Sequence, residues 1–128
     1  MAKRKLAQEW MERGKKDLED AEFLLMNNRA LENVAFHIQQ ALEKYLKGFL
    51  IYKGWKLEKI HDLRKLLAEA IPIDKKFEEF IDPLKKITEY YADSRYPVGY
   101  PLEYTRKEIR DSLHQAKSLV AYIKDKVK

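Results

Sequence analysis

Basic and histidine side chains that could bind phosphate or transfer protons lie in three places along this sequence. The first is a run of polar residues at steps of three, four and three: His37, Gln40, Lys44 and Lys47. Such steps return to one side of an α-helix, so the lysines could receive phosphate there while His37 and Gln40 supply hydrogen bonds. An ordinary solvated helix face beside the core has the same pattern, and spacing alone favours that simpler interpretation.

The second place is the segment Ile60-His61-Asp62-Leu63, where a helix is expected to begin. Free backbone N–H groups and the helix dipole favour anions at such an end, which makes His61 a candidate phosphate-binding residue. Asp62 would serve equally well as a plain N-cap, with His61 as a packed imidazole. Spacing alone again favours the structural interpretation.

The third place is the stretch YYADSRYP at 90–97, where Arg95 lies among tyrosines. A guanidinium can fork a phosphate, and a tyrosine ring can stack on a base. We therefore assign Arg95 to a phosphate and Tyr91 or Tyr96 to a base. The alternative, that the tyrosines cap the core and Arg95 pairs with a nearby acid such as Asp93, stays equally open.

Composition excludes several kinds of chemistry. The chain has no cysteine, so disulfides, thiolate metal sites and cysteine nucleophiles are absent. Its three histidines (His37, His61, His114) are scattered, and we predict no metal site. Gly-rich phosphate loops and GxSxG or HExxH motifs are also missing. A net charge of +5 favours an anionic partner such as a nucleotide or RNA, although 21 acidic residues are interspersed with the basic ones.

The elements that must position these residues are all helical, since apolar residues recur at helical spacing and no strand-like alternation occurs. Helices are predicted at about 6–26, 30–53, 61–70, 75–92 and 102–126. Pro83 should kink or split the fourth of these, and 93–101 should be an irregular connection. We predict an all-α, up-and-down four-helix bundle with an additional short helix, forming a single domain over 1–128.

The predicted second helix is apolar on more than one side. Phe36, Leu50 and Trp55 are placed outside its core-facing stripe, and such surface favours a homodimer. No run approaches the roughly 18 apolar residues of a membrane span, and no signal-like apolar segment follows the basic start, so we expect a cytoplasmic protein without membrane contact.

Three runs together resemble the HEPN domain family in their order and spacing: AFHIQQALEKYLKGFLIYKG at 35–54, HDLRKLL at 61–67 and YYADSRYP at 90–97. The resemblance covers nearly the whole chain. It implies a bundle of four or five helices that commonly forms homodimers. Many members work beside a minimal nucleotidyltransferase, often as a toxin–antitoxin pair, and in some such complexes a tyrosine is adenylylated, for which Tyr96 or Tyr100 would be the candidates here. Other members are metal-independent ribonucleases.

The ribonuclease branch carries an arginine followed, after four to six residues, by a histidine, and this sequence departs from that pattern. No histidine follows Arg95 closely, and Arg106 and Arg110 stand seven and three intervening residues before His114. We therefore expect a nucleotide-binding and partner-binding module that is not catalytic by itself and needs no cofactor, with ATP as a candidate ligand. The alternative is a ribonuclease toxin with an atypical site, in which His61 replaces the missing imidazole.

Overall fold

Five α-helices and one 3-10 helix form the described part of the computed structural model, which covers residues 2–93 and 104–127, with side chains described over 3–90 and 104–127. In chain order they are α1 (Ala2–Met26), α2 (Leu31–Tyr52), α3 (Leu63–Ala70), the 3-10 helix Lys75–Phe80, α4 (Lys85–Asp93) and α5 (Arg106–Lys126). None of these described helices is long and apolar enough to cross a membrane. The prediction of an all-α bundle is confirmed.

The ends of α1 and α2 follow from residues that tolerate a left-handed backbone. Asn28 and Gly54, just past the two helices, have φ of 54° and 99°. After Gly54, the backbone N–H of Trp55 donates to the carbonyl of Leu50 at 2.8 Å, so the final turn of α2 is closed by the hydrogen bond that usually accompanies such a residue. Both predicted helix ends are confirmed to within a residue or two.

Capping residues and a proline set the boundaries of the shorter helices. The Asp62 side chain accepts a hydrogen bond from the backbone N–H of Arg64 at 2.9 Å, so its N-cap role is confirmed. Thr105 caps α5 in the same manner. The predicted helix over 75–92 is divided into the 3-10 helix and α4, with Pro83 between them, because proline cannot supply the N–H of a continuous helix.

Two glycines let the backbones of α1 and α2 approach closely. A Cβ at Gly14 would lie 2.7 Å from the Tyr45 ring and 3.0 Å from the Ala41 carbonyl oxygen. A Cβ at Gly48 would lie 2.6 Å from the Met11 side chain. Any larger side chain at either position would push the helices apart, so these glycines set the spacing on which both polar regions described below depend.

The core is built around α2, on which α1, α3, α4 and α5 all pack. Six of the seven residues predicted to form the apolar face of this helix are buried, and the seventh, Tyr52, is partly exposed; the six are Val34, Ile38, Ala41, Leu42, Tyr45 and Phe49. The placement of Leu50 and Trp55 outside the core is wrong, since Leu50 is completely buried and Trp55 packs against the core. Helices on several sides of α2 bury Leu50, whereas Phe36 stays 40% exposed.

Candidate functional site

The structure gathers the predicted residues His37, Gln40, Lys44, Lys47 and His61 with three buried partners that sequence reasoning missed. Those partners are Asp17 on α1 and Gln39 and Glu43 on α2. We call this set the polar side of α2. Of the other predicted residues, Arg95 and Tyr96 lie outside the described residues, and only the backbone of Tyr91, within α4, is described.

Asp17 joins two of the predicted residues. Its carboxylate accepts a hydrogen bond from Lys44 Nζ at 2.5 Å, and its other oxygen lies 2.9 Å from Nδ1 of His37. An ionised carboxylate can only accept, so Nδ1 of His37 carries the proton in this contact. The simpler interpretation from the sequence, a solvated lysine on an ordinary helix face, does not describe Lys44, because its ammonium group on α2 contacts Asp17 on α1.

Asp17, Asp20 and His37 also present ligand atoms that all lie within 4.8 Å of one another, a spacing that a divalent cation could use. The Lys44 ammonium already neutralises Asp17, however, and a cation there would have to displace it. This competition weighs against a metal, and the absence of a metal site stays a prediction.

Glu43 is the centre of a second set of contacts, and it is deeply buried. Glu43 and Lys47 are each 3% exposed, and their charged groups lie 3.1 Å apart. Lys47 Nζ also lies 5.2 Å from the centroid of the Trp10 ring, within the range of a cation–π contact. Because an isolated buried charge is very costly, the pairing offsets part of the cost of placing both groups inside the bundle.

His61 is held at the edge of this buried pair. Its Nδ1 lies 3.0 Å from Glu43 Oε2, while its side chain is 49% exposed. Gln39, itself 1% exposed, donates to the His61 backbone carbonyl at 3.1 Å and so fixes the segment before α3. His61 Nδ1–H donates a hydrogen bond to the Glu43 carboxylate, and Nε2, on the opposite side of the ring, points away from Glu43.

Gln40 completes the arrangement by donating to the side-chain oxygen of Gln39 at 2.8 Å. The five predicted residues of the described part therefore belong to two sets of contacts, one around Asp17 and one around Gln39 and Glu43, rather than standing alone in solvent. The spacing of Glu43 and Lys47, one helical turn apart in the most apolar of the helices, is a signal that could have revealed the buried pair. The role of Asp17 depends on how α1 packs against α2.

Fold and site together define a class of protein: a helical-bundle module whose polar groups are gathered along its central helix. The family model of the HEPN domain matches residues 7–126. The chain therefore belongs to the HEPN domain family, a family of nucleotide-related modules, and the resemblance seen in the sequence is confirmed.

A solved structure has a similar fold. The crystal structure of ST0689, an archaeal HEPN homologue, superposes with a TM-score of 0.74 over 95% of this chain and 98% of that chain. The two sequences are 23% identical, so the likeness concerns the fold alone. No curated protein gives a significant sequence match.

Proposed function

We propose that this chain is a non-catalytic HEPN module that binds a nucleotide at the polar side of α2 and acts together with a minimal nucleotidyltransferase. The observation that carries the proposal is the buried Glu43–Lys47 pair that positions His61 at the surface. A buried ion pair stabilises a fold little better than apolar side chains of similar volume. Its presence is better explained by the surface groups that it orients.

The role that we propose for each side chain follows from how far it is exposed to solvent. His61, His37 and Gln40 reach the surface and would hydrogen-bond the ligand, and Lys44, 23% exposed in its side chain, would approach a phosphate by exchanging its contact with Asp17. Lys47 is buried, so it would act through Glu43 rather than by touching the ligand. Arg95 would fork a phosphate and Tyr91 or Tyr96 would stack on the base, as the sequence predicts.

Titration calorimetry of the full chain with ATP tests the binding role. Saturable heat is expected for the natural chain, with affinity lowered about tenfold by Arg95→Ala and by His61→Ala, the loss that follows from one charge-assisted hydrogen bond. Lys65→Ala removes an exposed charge on α3 and is the matched control, which should bind as the natural chain does. Unchanged affinity in both site variants would overturn this assignment.

The proposed partner and oligomeric state need separate tests. Co-expression with a minimal nucleotidyltransferase should yield a complex that survives gel filtration, and the chain alone should scatter light as a homodimer. If the partner adenylylates this chain, mass spectrometry after incubation with ATP should show one added nucleotide, lost on Tyr96→Phe or Tyr100→Phe. A monomer that captures no partner would remove the toxin–antitoxin interpretation.

One observation favours the ribonuclease alternative as a second candidate function. His61 is oriented by a buried carboxylate through Nδ1, an arrangement in which Nε2 could exchange a proton with a substrate. The purified chain would then cleave RNA in the presence of a chelator, and both His61→Ala and Arg95→Ala would abolish cleavage. RNA left intact by the natural chain would exclude this candidate.

A further inference from the structure

A groove lies between α1 and α5, above the carboxyl-terminal half of α2. It exists because α1 and α5 both pack on α2 but make little contact with one another. Its volume is about 520 Å³, within the range of pockets that hold small ligands. We call it the α1–α5 groove; the lining residues that matter here are Arg4, Glu12, Lys15, Tyr45, Tyr52 and Lys124.

The charges that line this groove are mostly positive. Arg4, Lys15 and Lys124 are exposed, and none of them forms an ion pair with any residue in the described part of the chain. Glu12 is the single carboxylate among the lining residues. Three cations around one concave surface, with a single acid among them, favour an anionic ligand.

Tyr45 is a further polar residue that lines the groove. The residue is 1% exposed, and its ring packs against Gly14 of α1. A phenol hydroxyl can donate a hydrogen bond, so a tyrosine that lines the groove can bind an anion. Burial, followed by the charges of Glu12 and Glu19, raises the pKa of Tyr45 to about 12, so the group stays protonated and can donate to an anion.

Tyr52 contacts Arg4, one of the three cations that line the groove. The Arg4 guanidinium lies 5.6 Å from the centroid of the Tyr52 ring, and Nη2 of Arg4 donates to the Tyr52 hydroxyl at 3.4 Å. Stacking on a ring orders a guanidinium without neutralising its charge. Arg4 is therefore placed at the groove with its charge uncompensated by any described carboxylate.

We propose that the α1–α5 groove is a second binding site, separate from the polar side of α2, for a ligand that carries a di- or triphosphate group. Arg4, Lys15 and Lys124 contact the phosphate oxygens, and the Tyr45 hydroxyl donates to one of them. If the ligand is a nucleotide, its base would lie against the Tyr52 ring, which the Arg4 guanidinium and the Lys53 ammonium also approach, at 5.6 and 5.7 Å from the ring centroid.

Calorimetric titration of the full chain with sodium tripolyphosphate tests the site, and the Arg95→Ala variant is titrated in parallel so that the two proposed sites are separated. The natural chain and Arg95→Ala should both bind tripolyphosphate. Arg4→Gln/Lys124→Gln should weaken that binding about tenfold or more, and Tyr45→Phe should weaken it several-fold. Circular dichroism melting verifies that each variant is folded.

The matched control is Lys65→Gln/Lys75→Gln, which removes the same two charges from exposed positions outside the groove. It should bind tripolyphosphate within about twofold of the natural chain, since distant surface charges are screened. Equal losses in the control and the groove variant, or no binding by the natural chain, would overturn the proposal. Tighter binding of ATP than of tripolyphosphate, removed by Tyr52→Leu, would assign the groove to a nucleotide, and equal binding would assign it to a free polyphosphate.

Discussion

The polar side of α2 and the α1–α5 groove both contain basic side chains, but the two regions use them in opposite ways. Lys44 and Lys47 are held by buried carboxylates. Arg4 and Lys124 line an open groove without such a partner in the described chain. Depth explains the difference, because a charge inside the bundle must be paired while a charge at its edge is hydrated. Basic residues on neighbouring helices of one bundle therefore differ in what they can offer a ligand.

The largest effect that separates the two regions is expected from Glu43→Gln. The variant leaves the Lys47 ammonium buried without a counter-charge, which should lower the free energy of unfolding by about 3–5 kcal/mol. Urea denaturation followed by circular dichroism measures it. The double variant Glu43→Leu/Lys47→Leu removes both charges and should recover most of the loss. A loss below about 1 kcal/mol for Glu43→Gln would show that the pair is hydrated in solution.

A smaller effect is expected from Asp17→Asn. Asp17 is buried at 8% exposure and accepts from both Lys44 and His37, so losing its charge should cost about 1–3 kcal/mol in the same urea assay. Asp20→Asn, an exposed substitution one helical turn away, is the matched control and should change stability by less than about 0.5 kcal/mol. Equal effects of the two substitutions would contradict the conclusion that the contacts of Asp17 with Lys44 and His37 stabilise the packing of α1 on α2.

The third effect is confined to alkaline pH. In the folded chain the pKa of Tyr45 is raised to about 12, from an ordinary value of 10.0. As pH rises, the hydroxyl therefore ionises in the unfolded chain before it ionises in the folded chain. The stability that the protonated Tyr45 hydroxyl contributes to the folded chain is fully present below pH 10 and is lost as pH rises toward 12. Unfolding free energies at pH 9 and pH 11 should therefore differ less in Tyr45→Phe than in the natural chain. An identical pH dependence would mean that the Tyr45 hydroxyl is not desolvated. Tyr122, whose pKa is likewise raised to about 12 by burial and its hydrogen bond to Asp74, contributes equally to both proteins.

The smallest effect on stability is expected for the variant with the largest expected effect on tripolyphosphate binding. Arg4→Gln/Lys124→Gln removes two charges that have no ion-pair partner in the described residues, so stability should change by less than about 0.5 kcal/mol. Urea denaturation of the variant used for the tripolyphosphate titration measures this directly. A loss above about 1 kcal/mol would mean that these side chains support the fold, and the contrast between the two regions would then disappear.

The sequence predicts the elements well because their signals are local. Asp62 as a cap, Gly54 as a helix end and the division at Pro83 each depend on residues within one helical turn. The prediction that Leu50 lies outside the core is wrong because helical spacing shows which residues share a face but not how many neighbouring helices surround α2. Asp17 could not be found either, since it stands 20 residues before His37 and meets it only through packing of α1 on α2.

The close approach of α1 and α2 at Gly14 and Gly48 also bears on how this chain folds. These two helices share the most extensive interface in the described bundle, and only the short turn between Met26 and Leu31 separates them in sequence. Closing so short a loop costs little chain entropy, and interfaces between sequence neighbours form fastest. The helical hairpin of α1 and α2 is therefore the natural nucleus of folding, and α3, α4 and α5 add to a surface that has already formed.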